Sequence, residues 1–232
     1  TLPDVGPDWL AAYADGLGRM AHRCRMSLIG GDTTRGPLSI TVTVFGRVPA
    51  GQALRRSGAR PGDLLCVGGS LGKAAGALPL VLGERVAPAA QAEPLLAHYW
   101  SPMPQLTLGA LLRGRATAAL DISDGLLADC GHIAKASGVA LEVNLAQVPV
   151  SPALEAFLGR EAAVQAALTG GDDYVLAFTL PPEALAPLAA FDFIEVHTVG
   201  RVLEGQGVTL RDAQGQDITP VQRGYQHFRE RP

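Results

Sequence analysis

Cysteines and long apolar runs are scarce in this sequence. The three cysteines, Cys24, Cys66 and Cys130, lie far apart and form no C-x-x-C pair. This arrangement excludes a cysteine-based zinc site and a disulfide framework, so we expect plain thiols in a reducing, cytoplasmic compartment. No apolar run reaches the roughly 18 residues that a membrane-spanning helix needs, so we expect neither a membrane anchor nor a signal peptide.

Clustered positive charge is also missing. The 19 Lys and Arg residues are outnumbered by 22 Asp and Glu residues, the net charge is −3, and no long basic run occurs. A nucleic-acid partner is therefore not expected, because phosphate backbones are bound by clustered cations. Aromatic residues make up only 5% of the chain, while hydrophobic residues make up 47%. These values indicate a globular protein whose core consists mainly of Ala, Leu and Val.

Several catalytic motifs are absent. None of the chain's five histidines pairs with another at metal-ligand spacing. The run Gly68–Ala74 approaches a P-loop, but its spacing is one residue short and Ala74 replaces the hydroxyl that would bind magnesium. What remains is a strand–glycine–helix corner, which can hold an anion or be only a tight turn.

Hydrophobic periodicity predicts an α/β fold with α+β mixed sheets, arranged in two domains. We expect the boundary in the glycine- and arginine-rich linker that begins at residue 51, which gives domains 1–50 and 51–232. Because two prolines forbid a helix, we expect residues 98–104 to form a loop. The predicted helices are 8–25, 74–82, the second half of 86–97, 105–112, 126–137, 153–158, 161–166 and 183–190. The predicted strands are 26–29, 38–48, 63–67, 139–144, 175–180, 193–202 and 207–211.

Three acidic, glycine-flanked turns stand out: Gly30–Pro37, Asp121–Gly125 and Gly170–Tyr174. The second follows an apolar run, and alternation along a strand places Asp121 and Ser123 on one face. Each turn has a plain structural alternative. The first could be only a hairpin loop, and Ser123 or Asp124 could be only the N-cap of the following helix.

Together the three turns supply many carboxylates and hydroxyls but no strong nucleophile or base. The side chains concerned are Asp32, Asp121, Asp124, Asp172, Asp173, Thr33, Thr34 and Ser123. Clustered carboxylates repel one another unless a cation compensates, and hard divalent cations prefer oxygen ligands. Such a set suits phosphoryl transfer, in which positioning and metal-borne charge neutralisation carry the catalysis. An acceptor that is itself a phosphate needs no general base, because its oxygen is already anionic.

Four runs, in this order, resemble the thiamine-monophosphate kinase family over essentially the whole chain. They are Gly30-Gly31-Asp32-Thr33-Thr34-Arg35-Gly36, Leu120-Asp121-Ile122-Ser123-Asp124-Gly125-Leu126, Thr169-Gly170-Gly171-Asp172-Asp173-Tyr174 and Gly224-Tyr225-Gln226-His227-Phe228. The resemblance implies the two-domain fold of the aminoimidazole-ribonucleotide-synthetase-like superfamily. It also implies transfer of the γ-phosphate of ATP to thiamine monophosphate, which yields thiamine diphosphate, with several Mg²⁺ ions. Residues 1–50 would be the remainder of a truncated N-terminal domain that binds ATP and metal and forms a homodimer.

The resemblance also implies roles for individual residues, position by position. Asp32, Asp121 and Asp124 would bind Mg²⁺, while Gly31, Asp32, Arg56 and Ser123 would contact ATP. Asp172 and Tyr225 would contact the thiamine moiety. From the residues alone, Arg56 is either a bidentate phosphate clamp or part of a solvated hinge.

The chain departs from the family pattern in three places. Asp172 stands where Glu is usual, Tyr225 stands where Trp is frequent, and roughly a third of the family's length precedes the equivalent of Thr1. Two other interpretations therefore stay open. The chain could act on a purine precursor, selenide or a carbamoyl group, as other enzymes of the superfamily do, or it could be a nucleotide-binding fragment without catalysis.

Overall fold

A computed structural model describes residues 1–225, apart from the side chain of Ala189. The chain divides into two compact units, Thr1–Pro49 and Ala50–Pro232. The predicted Gln226, His227 and Phe228 of the last motif lie outside the described residues. No helix within residues 1–225 is both long and apolar enough to cross a membrane.

The first unit contains one long helix, α1 (Pro7–Arg23). Its start and end follow from the local sequence. Pro7 occupies the first turn, where its missing N–H is no loss, and Asp8 lies at the positive end of the helix dipole. His22 and Arg23 lie at the negative end. The predicted helix 8–25 is therefore confirmed, with its end two residues earlier.

The two strands predicted in the first unit, 26–29 and 38–48, were wrong, because residues 1–49 contain no strand. A strand exists only through hydrogen bonds to a neighbouring strand, and the alternating sequence of 38–48 finds no such partner within the described residues. The nearest feature is a single parallel bridge between Leu2 and Arg35. Apolar side chains of this segment lie exposed as a result, among them Val44 and Phe45, the latter 77% exposed.

The second unit is built on one six-stranded sheet, and the sheet is mixed, as predicted. The strands lie in the order β2-β4-β1-β5-β3-β6, and every neighbouring pair is antiparallel except β3 and β6. Their bounds are β1 (Leu64–Val67), β2 (Ala118–Asp121), β3 (Ala140–Asn144), β4 (Leu176–Leu180), β5 (His197–Leu203) and β6 (Gly207–Arg211). Because Asp121 pairs with Leu176, the turn after β2 and the turn before β4 meet at the same end of the sheet.

Helices cover both faces of this sheet. They are α2 (Lys73–Val81), α3 (Ala89–Trp100), α4 (Leu106–Leu112), α5 (Leu126–Ser137), α6 (Pro152–Leu158), α7 (Arg160–Thr169) and α8 (Leu185–Ala189), with 3₁₀ turns at Leu145–Gln147 and Pro182–Ala184. Residues of α5 and α7 pack on one face, where Ile133 and Leu168 join the larger core cluster. Leu108 and Leu188 pack on the other face with Phe178. A third cluster, around Leu95 and Leu154, joins α2, α3, α6 and α7.

Most boundaries differ from the prediction by a few residues, and in two cases tertiary contacts explain the difference. Helix α3 continues to Trp100, three residues into the predicted loop, and half-buried Tyr99 packs on the third cluster. Strand β5 begins at His197 instead of residue 193, because its pairing with β1 starts there. The three cysteines are free, as predicted, and burial raises the pKa of Cys66 to about 11 and that of Cys130 to about 12.

The strand–glycine–helix corner at Gly68–Ala74 is filled by a carboxylate of the chain itself. Asp173, which is 1% exposed, accepts hydrogen bonds from the backbone N–H of Gly72 at 2.6 Å and of Ala74 at 3.4 Å. A side-chain oxygen at this position satisfies N–H groups that a helix start leaves without partners. The corner therefore binds an anion, as the sequence allowed, but the anion is Asp173.

We expect Gly200→Ala to lower the free energy of unfolding by about 3 kcal/mol. Gly200 lies at a bulge in β5, and a Cβ there would overlap the carbonyl oxygen of Glu142 on β3. The matched control is Gly131→Ala in the middle of α5, where a Cβ meets nothing within 4 Å. That variant should be stabilised by about 0.5–1 kcal/mol, because Ala is the better helix former. Urea unfolding measures both, and equal effects would contradict the packing argument.

We also expect Asp173→Asn to change how stability depends on pH. Burial raises the pKa of Asp173 from 3.8 to about 6, against the opposing effects of the backbone N–H groups and of Lys73. The folded state then holds this proton more tightly than the unfolded state. The stability contributed by this carboxyl is fully present below pH 3.8 and is lost as the pH rises through about 6.

The measurement is urea unfolding of the wild type and of Asp173→Asn between pH 4 and 7.5. The variant should gain stability relative to the wild type by on the order of 2 kcal/mol between pH 4 and 6.5. His98 lies 3.6 Å from the same carboxylate, and burial lowers its pKa, so the comparison is repeated with His98→Gln in both proteins. Asp192→Asn, at an exposed position, is the control for the change of charge. A constant difference from the wild type for Asp173→Asn would overturn the assignment.

Candidate active site

The turn Asp121–Gly125 is held at the end of β2 by two backbone hydrogen bonds to the segment that precedes β4. The N–H of Ile122 donates to the carbonyl of Val175, and the N–H of Tyr174 donates to the carbonyl of Ile122, both at 2.8 Å. Ile122 is fully buried and anchors the turn in the core. Asp121 is exposed, and Ser123 and Asp124 are half-buried, so the polar side chains of the turn face outward from a fixed backbone.

Neither Ser123 nor Asp124 caps the following helix, so the plain structural alternative for this turn does not apply. The N-cap of α5 is Gly125, whose φ of 123° favours glycine. As a glycine it supplies no side-chain capping hydrogen bond. Instead Asp129, from the first turn of α5, reaches back. One of its oxygens accepts hydrogen bonds from the N–H groups of Ser123, Asp124 and Gly125 at 3.0, 2.9 and 3.1 Å.

The turn Gly170–Tyr174 packs directly against this segment. The N–H of Asp172 donates to the carbonyl of Ser123 at 2.9 Å. A Cβ on Gly171 would overlap that same carbonyl oxygen, so the close approach requires glycine. Asp172 and Tyr174 adopt left-handed backbone conformations, with φ of 64° and 51°, which non-glycine residues rarely do. Such strain persists where the surrounding structure over-determines it, often at functional sites.

The hydroxyl of Tyr174 is influenced by three carboxylates. It donates a hydrogen bond of 2.8 Å to Asp172. This bond is the largest cause that raises the pKa of Tyr174 to about 12, followed by burial and by the negative charges of Asp172, Asp121 and Asp124. Asp172 therefore contacts this hydroxyl directly, and Asp121 and Asp124 act on it through their charges. Asp173, in contrast, is buried in the core.

The last motif also reaches the site. The N–H of Tyr225 donates to the carbonyl of Asp124 at 2.9 Å. Gly224 is buried, and a Cβ there would lie 2.5 Å from that carbonyl oxygen and 2.6 Å from the Cβ of Ala128. The side chain of Tyr225 is 60% exposed, so its ring lies at the surface beside Asp124.

The donor chemistry of this surface fits a hard divalent cation. Asp121 and Asp124 offer carboxylate oxygens, which are the ligands that Mg²⁺ takes in proteins. Ligand atoms of Asp124, Asp129 and His132 also lie within 4.8 Å of one another. The sequence analysis missed Asp129 and His132. Their spacing of three residues on α5, which places both on one helix face, was the available signal.

Asp32 and Gly31 belong to the first unit, where both are exposed. Asp32 accepts a hydrogen bond of 2.8 Å from the N–H of Thr33 through one of its oxygens, an ordinary turn contact. A Cβ on Gly31 would meet nothing within 4 Å. A pocket of about 340 Å³ adjoins this turn and is lined in part by Thr33, Thr34 and Arg35.

Arg56 is exposed and lies along the edge of β2. The carbonyl of Arg55 accepts from the N–H of Ala119 at 2.8 Å, and the carbonyl of Arg56 accepts from the hydroxyl of Ser137 at 3.3 Å. Ser137 ends α5, about 16 Å along the helix axis from its first residue. The structure therefore does not bring the backbone of Arg56 to the start of α5, where Asp124 lies.

Two family models match the chain, one for each unit. Residues 1–48 match the N-terminal domain of the AIR synthase related proteins, and residues 60–213 match the C-terminal domain of the same family. The second match alone covers more than half of the chain. The mixed α/β architecture described above is the one expected from these domains.

Individual relatives are more specific. The chain is 41% identical to the thiamine-monophosphate kinase of Escherichia coli K12, over 98% of this chain and 71% of that protein. A solved thiamine-monophosphate kinase from Stenotrophomonas maltophilia K279a is 46% identical, has a TM-score of 0.85, and is matched over 90% of this chain and 69% of that one. AaThiL complexed with AMPPCP and TMP is 28% identical, has a TM-score of 0.78, and is matched over 98% and 71%. By this identity and coverage, the chain belongs to the thiamine-monophosphate kinase family.

Proposed function

We propose that the protein transfers the γ-phosphate of ATP to thiamine monophosphate and forms thiamine diphosphate, in a Mg²⁺-dependent reaction. The observation that carries the proposal is the packing of the turn Gly170–Tyr174 against the turn Asp121–Gly125, through backbone hydrogen bonds from Asp172 to Ser123 and from Tyr174 to Ile122, in a chain 41% identical to a thiamine-monophosphate kinase. The relative AaThiL, solved with AMPPCP and TMP, supports ATP and thiamine monophosphate as the two substrates.

Asp121, Asp124 and Asp32 are the proposed Mg²⁺ ligands. Bound Mg²⁺ would neutralise the charge on the phosphates during transfer. The protein supplies fixed carboxylates for this purpose: Asp121 extends from the end of β2, and the backbone of Asp124 is held by Asp129 and Tyr225. The hydroxyl of Ser123, in the same turn, is proposed to contact ATP, together with Gly31 and Arg56.

Phosphoryl transfer to a phosphate acceptor requires no base from the protein. The attacking oxygen of thiamine monophosphate is anionic near neutral pH, so positioning is the main task of the side chains. Asp172 and Tyr225 are proposed to hold the thiamine moiety. Asp172 is one methylene shorter than the usual Glu, and its hydrogen bond from Tyr174 restricts the directions in which it can point.

Arg56 contributes to this proposal only through its position along the edge of β2. A long guanidinium side chain can reach several ångströms beyond its backbone and bind phosphate oxygens bidentately. We also propose that residues 1–50 belong to a domain that binds ATP and metal and forms a homodimer. The exposed apolar side chains of Leu28, Ile29 and Phe45 support such an interface. A cytoplasmic location is part of the same proposal.

The metal role of Asp124 can be tested by Asp124→Asn in the full-length protein. We expect kcat/KM to fall about 100-fold or more, because charge stabilisation by a bound metal contributes several kcal/mol. The assay measures thiamine diphosphate formed from ATP and thiamine monophosphate at saturating Mg²⁺. Asp192→Asn, an exposed aspartate outside the site, should keep wild-type turnover. Unchanged turnover in Asp124→Asn would exclude the proposed role.

The substrate role of Asp172 can be tested through its partner. Tyr174→Phe removes the hydroxyl that holds Asp172 without adding bulk. Since loss of one such hydrogen bond costs about 1 kcal/mol, we expect the KM for thiamine monophosphate to rise about fivefold. The KM for ATP should not change. Tyr99→Phe, on α3, is the control, and an equal rise in both KM values for Tyr174→Phe would contradict the assignment.

A further inference from the structure

The Asp129 carboxylate binds the backbone that a phosphate would be expected to bind. A helix start that follows a strand and a glycine turn presents free N–H groups and the positive end of a dipole, which together attract anions. At α5 these N–H groups belong to Ser123, Asp124 and Gly125, and all three donate to one oxygen of Asp129. The backbone of this turn therefore has no donors left for a phosphate group.

Burial makes this arrangement rigid. Asp129 is only 3% exposed, and burial raises its pKa, whereas the three backbone hydrogen bonds oppose that rise. A buried carboxylate is tolerated only where donors compensate for the lost water. Moving any of the three N–H groups would leave this charge less compensated, so the turn has one favourable conformation.

That conformation determines where the carboxylates of the turn point. Asp124 lies between two of the residues that Asp129 holds, and Asp121 precedes them by two residues. We infer that Asp129 is a positioning residue for Mg²⁺ binding: it fixes the Ser123–Gly125 backbone so that Asp124 and Asp121 face a common metal. The inference rests on the proposed function, and it assigns to Asp129 an effect on metal affinity that a residue needed only for folding would not have.

The test compares Asp129→Asn with the wild type in the full-length protein. Asparagine is of the same size, but its neutral amide oxygen holds the three N–H groups less strongly and its NH₂ group cannot accept. Residues that orient metal ligands typically contribute 10–100-fold to metal affinity. We therefore expect the Mg²⁺ concentration for half-maximal activity to rise about 10–100-fold, with the KM for thiamine monophosphate unchanged.

A second readout does not depend on activity. Mn²⁺, used as a probe for Mg²⁺, is titrated into each protein and free Mn²⁺ is measured by electron paramagnetic resonance. The dissociation constant should rise by a similar factor in Asp129→Asn. Urea unfolding gives the folded fraction of each variant, and binding is expressed per folded molecule, so partial unfolding cannot imitate the effect.

The matched control is Asp63→Asn. Asp63 is another buried aspartate that accepts hydrogen bonds, from the N–H of Arg60 at 2.9 Å and the hydroxyl of Thr117 at 2.6 Å, away from the metal-binding turn. It should lose stability without any change in Mn²⁺ affinity.

Two outcomes would overturn the inference: wild-type Mn²⁺ affinity in folded Asp129→Asn, or an equal loss of Mn²⁺ affinity in Asp63→Asn. Weakened binding in Asp124→Asn together with wild-type binding in Asp129→Asn would exclude the inference alone, whereas unchanged binding in Asp124→Asn would exclude the proposed metal role itself.

Discussion

The site depends on buried carboxylates that accept hydrogen bonds from the backbone at the starts of two helices. Asp129 binds three consecutive N–H groups before α5, and Asp173 binds the N–H groups at the start of α2. Each charge is costly to bury and is compensated only in one backbone arrangement. Stability and function are coupled here, because the same bonds that satisfy the helix ends also set the directions of the outward-facing aspartates.

These two carboxylates explain why the chain has glycine-rich turns at helix starts but does not offer their N–H groups to a phosphate. Glycine-rich turns at helix starts commonly bind phosphate through their N–H groups. In this chain both such turns are filled by the chain's own carboxylates, which leaves a surface of side-chain oxygens instead. A surface of that kind repels a polyphosphate unless divalent cations lie between them. The proposed Mg²⁺ dependence thus follows from how the helix ends are satisfied.

The glycines of the acidic turns allow neighbouring backbone segments to come into direct contact, in addition to permitting unusual φ angles. A Cβ at Gly171 would overlap the carbonyl of Ser123, and a Cβ at Gly224 would crowd Asp124 and Ala128. These contacts join three segments that are distant in sequence into one surface. The strained backbone of Asp172 and Tyr174 belongs to the same junction, where the hydrogen bonds of neighbouring segments hold conformations that the local sequence would not adopt alone.

Much of this protein could be predicted from local patterns. Hydrophobic periodicity and capping signals located α5 and β6 to the residue, and the order of the acidic turns identified the family, because these signals depend on neighbours within a few positions. The strands predicted at 26–29 and 38–48 were wrong, since pairing is a property of partners and not of one segment. Asp129 binds N–H groups that lie only four to six residues before it. The role of Asp173 was decided by tertiary structure alone, because its partners Gly72 and Ala74 lie 101 and 99 residues away. Whether an aspartate faces solvent or fills a helix start depends on which backbone N–H groups the fold brings to it, and no spacing in the sequence records that.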